Sequence, residues 1–235
     1  QSQELKIKIM SNSSFGKSSI GKKVLMALSG FFLIIFLAQH AAINLLSVVS
    51  PEMFNTVSTF MGLNPVIQFG LQPVLLFGVL FHLGMGFRLE MQNNKARPIK
   101  YIKDNRAANA TWVSRNMVVT GIMILLFFAV HFYDFWIPEI QTKFVQGDWT
   151  GLHHGEPRFH AELVHKMSDP IRSAIYTVAF VFLSLHLQHG FASAFQSAGA
   201  RHNKYTPTIE KLGKAYAIII PAVFVFIAWF HVLNH

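Results

Sequence analysis

Residues 24–48 read VLMALSGFFLIIFLAQHAAINLLSV, a run of 25 positions without Asp, Glu, Lys or Arg. Wound as a helix at 1.5 Å per residue, it is about 37 Å long. A bilayer's hydrocarbon core is about 30 Å thick, so the run is long enough to cross it. It is too long for the apolar region of a signal peptide, and no A-x-A cleavage site follows it. Four more stretches share its character: 66–87, 116–133 with an extension to 136, 173–200 and 215–235. Each reads as a helix, because a lone strand in lipid would leave its backbone unpaired. Composition agrees. Of 235 residues, 52% are hydrophobic and only 13% charged, about half the charged share of a soluble domain. An ordinary soluble globule and a disordered chain are both excluded. The expected fold is all-α: a polytopic membrane protein with five transmembrane helices.

Prolines at 51, 65, 98, 138, 170 and 207 punctuate the connections, and Pro73 and Pro221 fall inside spans as expected kinks. Trp112 and Trp136 bracket the third span as an aromatic belt would. Basic residues set the orientation. Lys6, Lys8, Lys17, Lys22 and Lys23 precede the first span. Arg88, Lys95, Arg97, Lys100, Lys103, Arg106 and Arg115 follow the second, and Arg201, Lys204, Lys211 and Lys214 follow the fourth. That places 16 of the 20 basic residues on one side, leaving Lys143, Arg158, Lys166 and Arg172 on the other. By the positive-inside rule the N-terminus is cytoplasmic and the C-terminus outside. The expected division is a cytoplasmic N-terminal segment, 1–21, and a membrane domain, 22–235, with an outer loop at 137–172. Met10 precedes the Ser-rich SNSSFGKSS as a natural start would, which makes residues 1–9 an upstream extension or an artefact. No repeat or low-complexity tract is read in the sequence.

The chain has no cysteine. Disulfides, thiolate zinc sites, iron–sulfur clusters held by this chain and CxxCH haem attachment are therefore excluded. Histidine remains as a metal ligand, and six histidines fall within spans: His40, His82, His131, His186, His189 and His231. An ionisable residue inside a membrane points to function. Depth sorts them. His40 and His131 sit late in outward-running spans and so lie in the outer half. His82 and His186 sit late in inward-running spans and lie in the inner half. Taking midpoints near residues 36 and 77, His40 and His82 stand roughly 6 to 8 Å either side of the centre. Two pairs, one above the other, suit two stacked cofactors. A pair of neutral imidazoles on facing apolar helices suits a bis-histidine b-type haem, whereas zinc would gather four ligands at one depth. Gly78, His82 and Gly86 share a helix face, as do His186 and Gly190. Small residues there let a flat ligand approach, but they equally serve close helix packing. Spacing leaves His186 and His189 open as alternatives. His231, near the outer end of the last span, is expected to face the interface.

The runs FLAQHAAIN around His40, FHLGMGFRLE around His82, AVHFYDFW around His131 and LHLQHGFASAFQSAG around His186 resemble the cytochrome b membrane anchor of bacterial succinate dehydrogenases and fumarate reductases. The nearest type is the single-chain, five-helix, two-haem anchor, and the likeness extends over nearly all of residues 11–235. The resemblance implies a haem-binding four-helix bundle plus one peripheral helix. It implies His40 and His131 as ligands of the outer haem iron, His82 and His186 as ligands of the inner one, and His186 rather than His189 as the fourth ligand. It further implies a subunit of succinate dehydrogenase, respiratory complex II of the tricarboxylic acid cycle, in a bacterial cytoplasmic membrane. The basic face would dock an iron–sulfur subunit and, through it, a flavoprotein. Those partners carry the iron–sulfur clusters and FAD and oxidise succinate, and this chain relays electrons through two b haems to a membrane quinone, expected to be menaquinone. Ser184 stands where some dihaem fumarate reductases carry a glutamate linked to proton transfer, so succinate oxidation is the expected direction.

Asp134 and His160 are candidate proton donors to the quinone. Arg88, Lys95 and Arg97 are candidates for pairing haem propionates or the partner subunit. The loop histidines His153, His154, His160 and His165 read chiefly as part of a solvated cap. Two other functions fit the histidines. One is a dihaem b subunit of another quinone-linked respiratory enzyme, told apart by its co-purifying partners. The other is a proton transporter with a histidine relay, which would be colourless and would favour inverted repeats or broken half-helices.

Overall fold

The computed structural model describes residues 18–95, 116–200 and 202–235. Lys6, Lys8, Lys17, Arg97, Lys100, Lys103, Arg106, Trp112, Arg115 and Arg201, and the start region around Met10, lie outside the described residues. Among the described residues, seven α-helices of nine residues or more follow in order: α1 (Ser19–Val49), α2 (Pro51–Leu63), α3 (Gln72–Lys95), α4 (Met117–His131), α5 (Phe159–Met167), α6 (Pro170–Ser197) and α7 (Thr206–Asn234). Among the described residues, five helical stretches are long and apolar enough to cross a membrane: Ile20–Val49, Ile67–Lys95, Met117–Val145, Pro170–Ser197 and Thr206–Asn234. The chain is a multi-pass, all-α membrane protein. Its outward side chains suit lipid: Ile35, Phe77, Leu126, Val181 and Ile218 are all more than half exposed.

Helix α1 packs on α3 and α6, and α4 packs on the same two, so the four form a square bundle with α1 opposite α4 and α3 opposite α6. Helix α7 lies outside the square against α6 and α1. It is peripheral in position only, because Ala217, Pro221, Phe224, Ile227, Ala228 and His231 bury one of its faces. Tyr216 Oη on that helix donates to the Ile34 carbonyl at 2.6 Å. Gly213 lets α7 close on α6. A Cβ there would stand 2.7 Å from Phe191 Cδ1 and 3.3 Å from its Cβ, too near the backbone for the ring to swing clear. Gly213→Ala is expected to cost about 1–3 kcal/mol. Gly84→Ala, with nothing within 4 Å of the new Cβ, is expected to be neutral or slightly stabilising. Thermal unfolding in detergent compares the two, and equal midpoints would show that the α6–α7 approach is not tight.

Side chains cap the helices where prolines were expected to mark connections. Ser50 accepts from Met53 N–H ahead of α2, and Asp169 from Ile171 N–H ahead of α6, each with proline at the first helical position. Pro138 does not end its helix. The third span continues through Pro138 to Val145, past the expected end at Trp136. A π turn, Phe132–Trp136, comes just before, and Ile137 N–H bonds to Phe132 O five residues back. Pro73 repeats the device: a π turn covers Ile67–Leu71 and Gln72 N–H reaches Ile67 O. The wider turn accommodates a ring that would clash with the i−4 carbonyl of a regular helix.

The 137–172 region is more ordered than a solvated loop. After the third span come a two-residue hairpin, Leu152–His153 with Glu156–Pro157, and then α5. The hairpin turn uses positive φ at both His154 and Gly155, as a tight primed turn requires. Hydrogen bonds from the Thr150 hydroxyl and N–H hold the Asp148 carboxyl below its usual range. That turn is therefore in place at neutral pH and loosens only as pH falls through the lowered pKa. Helix α5 packs on α2, and an ionic cluster joins the layers. Lys143, 1% exposed, donates to the Gly62 carbonyl and to Gln68 Oε1 at 3.1 Å, and pairs with Glu139 at 2.5 Å. Glu139 also pairs with Arg158, which forks onto Glu162 at 2.8 and 2.9 Å. Burial works against the Arg158 charge, but the two carboxylates outweigh it and hold its pKa above the ordinary value.

Candidate functional site: two diagonal histidine pairs

Four of the six span histidines meet across the diagonals of the bundle. His40 on α1 faces His131 on α4, ring centroids 5.9 Å apart. His82 on α3 faces His186 on α6 at 6.4 Å. His189 forms no ring pair with another histidine among the described residues. The two pairs lie at different depths. Ser29, which touches His82, and His40 are 11 residues apart on α1, or about 16 Å along the helix.

The surroundings of the pairs reveal an internal repeat that the sequence reading did not find. Met26, Ser29, Gly30, Phe36 and His40 on α1 are matched, at identical spacing, by Met117, Thr120, Gly121, Phe127 and His131 on α4. His82 and Gly86 on α3 are matched by His186 and Gly190 on α6. The contacts match as well. Ser29 Oγ lies 3.0 Å from His82 Nδ1, and Thr120 Oγ1 lies 3.1 Å from His186 Nδ1. A Cβ on Gly30 would meet His82 Cε1 at 3.7 Å, and one on Gly121 would meet His186 Cε1 at 3.8 Å. A Cβ on Gly86 would meet Met26 Cε at 3.6 Å, and one on Gly190 would meet Met117 Cε at 3.4 Å. Phe36 stacks on His40 at 5.4 Å and Phe127 on His131 at 5.5 Å. Each half is a hairpin of two spans, and each histidine pair joins equivalent residues of the two halves. The pairs therefore lie on the pseudo-twofold axis. The legible signal is Met-x-x-[Ser/Thr]-Gly-x5-Phe-x3-His, which occurs twice. It escaped notice because, of the apolar positions between the marks, only Ala38 and Ala129 are identical.

The environments of the two pairs differ. His82 and His186 each have a hydroxyl partner. Asn44 Nδ2 lies 3.3 Å from His40 Nδ1 and donates to the His40 carbonyl. His131 Nδ1 is buried and meets no hydrogen-bond partner, in a nest of Phe127, Phe132, Phe135 and Tyr176. Helix α7 contributes Phe224 beside His40 at 5.7 Å. Gly78 does not face a ligand space, because the Phe32 ring lies 2.7 Å from where its Cβ would be. This is ordinary close packing.

These residues fit a b-type haem at each pair. Among the described residues no group of three or more His, Asp or Glu is placed to hold an ion. An ion taken here receives two neutral imidazoles and must bring its other ligands with it, as iron in a macrocycle does. Two metal–nitrogen bonds of about 2.0 Å, with the radii of two rings, fill separations of this size.

Asp134 and His160 are not in contact. Asp134 is 2% exposed and fully engaged, pairing with Arg172 and accepting from Tyr176 Oη at 2.9 Å. Arg172 lines a recess of about 400 Å³ between α4 and α6, with Val130, Tyr133, Ile171 and Ile175. His160 Nε2 donates to the Ser47 carbonyl at 3.0 Å. The Ser47 hydroxyl lies 3.0 Å from His231 Nε2. His231 thus does not face the interface. It is fully buried, because Ser47 and the His160 ring 5.9 Å away draw it inward. His153 and His154 are exposed, with rings 4.2 Å apart. Comparison of the chain with protein families, curated proteins and solved structures gives no match.

Proposed function

We propose that the chain is the dihaem cytochrome b membrane anchor of a succinate:quinone oxidoreductase. His40 and His131 would hold one haem, and His82 and His186 the other. The observation that carries this reading is the meeting of equivalent histidines on the pseudo-twofold axis at two depths. A bis-histidine haem presents the same ligand type to both sides of its plane, and such a pair supplies it. When bound, the haem irons supply reversible one-electron storage. The chain's own residues hold the imidazoles neutral, exclude water with aromatic rings and keep the two pairs at different depths.

The positive-inside rule supports a cytoplasmic N-terminus, and the family resemblance supports a bacterial membrane. The His82–His186 pair then lies towards the basic face, where an iron–sulfur subunit and its FAD-bearing flavoprotein would dock. The His40–His131 pair lies towards the α2–α5 cap. The recess beside Arg172 would take the quinone ring, with Asp134 behind the guanidinium. Menaquinone is the expected quinone and succinate oxidation the expected direction.

A reduced-minus-oxidised visible spectrum of the purified complex, with pyridine-haemochrome quantification, tests the reading. Two b haems per chain are expected. One haem would remove one pair from the assignment. None, in an intact preparation, would overturn the electron-relay function. Succinate–quinone assays on the co-purified subunits then separate this enzyme from other quinone-linked ones.

A further inference from the structure

Apart from the paired histidines, Ser29 and Thr120 are polar residues whose contacts match across the two halves. Each hydroxyl has one hydrogen. Ser29 donates it to the Met26 carbonyl at 2.8 Å, and Thr120 donates to the Met117 carbonyl at 2.9 Å. Each oxygen can then only accept from the imidazole in front of it, at 3.0 and 3.1 Å. The hydrogen between them belongs to the ring. With each hydroxyl hydrogen on its carbonyl, His82 and His186 take the Nδ1–H tautomer, with Nε2 bare, because a neutral imidazole carries one hydrogen. A bare Nε2 is the form that binds a metal, and a hydrogen bond at the far nitrogen fixes the ring and raises its basicity.

A bland account is available for either hydroxyl alone. Serine and threonine in helices often satisfy themselves on a carbonyl one turn back, as Ser193 does on Gly190. That account does not explain why both hydroxyls reach the same ring atom of the equivalent histidine. Nor does it explain why each is followed by a glycine, Gly30 or Gly121, lying against that ring's Cε1. A Cβ at either glycine would meet that ring at 3.7 and 3.8 Å, ordinary contact, so the glycines mark the equivalence of the two sites and the hydroxyls carry the interaction. Among the described residues, no such hydroxyl stands at the His40–His131 pair.

We infer that Ser29 and Thr120 are a matched pair of positioning residues, one in each half, that lock His82 and His186 as Nδ1–H tautomers and aim both bare Nε2 atoms at one shared metal. This rests on the dihaem reading. It adds residues of the neighbouring spans that tune one haem and leave the other alone.

The test uses the intact complex with Ser29→Ala, Thr120→Val and the conservative Ser29→Thr and Thr120→Ser. The readouts are haem content and the two midpoint potentials from a spectroscopic redox titration. Losing the acceptor makes the imidazole a poorer donor to oxidised iron. Ser29→Ala and Thr120→Val should each move one of the two potentials, the same one, to more positive values. The other should stay in place. Haem retention at that pair should weaken about 10-fold. The hydroxyl-bearing variants should restore both. If the alanine or valine variant loads no haem at that pair, recovery in the hydroxyl-bearing variant supports the inference and its failure overturns it. Unchanged potentials in Ser29→Ala and Thr120→Val, with two haems present, would overturn it while leaving the dihaem reading intact. A wild-type complex without haem would instead defeat the parent reading.

Discussion

His186→Ala is expected to lower the b-haem content from the proposed two per chain to one, and His189→Ala to leave it at two. This is the largest spectroscopic effect expected of any single substitution outside the His40, His82 and His131 set. The reason is geometric. The His186 ring stands 6.4 Å from His82 across the bundle and has a hydroxyl behind it, and His189 pairs with no histidine. Removing His186 leaves His82 as a single ligand, so the reduced-minus-oxidised amplitude should fall by about half. Potentiometry should then show one component where the wild type shows two. His40→Ala should remove the other component and spare this one. Two haems retained in His186→Ala would mean that the diagonal pairs are not the ligands. Loss of haem in His189→Ala, with unchanged assembly, would move the ligand three residues along α6.

Glu139→Ala should be the most destabilising substitution in the cap. Glu139 pairs with both Lys143 and Arg158, which are 1% and 5% exposed. Removing it strips a buried pair of cations of a shared carboxylate. Breaking a buried ion pair from one side costs about 3–5 kcal/mol, which for a chain of this size corresponds to a fall in midpoint of about 10 °C. Glu52→Ala, at an exposed position on α2, is the control and should shift the midpoint little. Thermal unfolding in detergent checks both. A fall no larger than the control's would mean that water or lipid headgroups reach Lys143 and Arg158 freely.

The spans were legible because charge-free runs of this length have few other uses. The first span begins near its expected place and ends within two residues of it. The third was read too short. Pro138 carries a strong breaker signal, and only the π turn ahead of it makes the helix continuous. Depth sorted His40 with His131 and His82 with His186, and the rings of both pairs do meet. Depth is readable from span order alone. Helices α2 and α5 and the Lys143 cluster were not legible, since they depend on contacts between segments far apart in the chain, such as His160 N–H on Asn55 Oδ1 at 2.8 Å. His231 was misplaced for the same reason, because its partner Ser47 lies on the first span.

The equivalence of the two hairpins has one more consequence. A surface that meets its own equivalent across a twofold axis is self-complementary, as in an isologous dimer. Two identical hairpins would already set His40 against its copy and His82 against its copy. Joining the halves in one chain frees each from the other's sequence. Asn44, beside His40, has as its counterpart Phe135, beside His131. One imidazole of that pair therefore has a polar neighbour where its mate has an aromatic one. Helix α7 has no counterpart in either hairpin, and it lays Phe224 on His40. A symmetric dimer cannot distinguish the two histidines of such a pair. This chain distinguishes them at the His40–His131 pair while keeping them nearly alike at the His82–His186 pair.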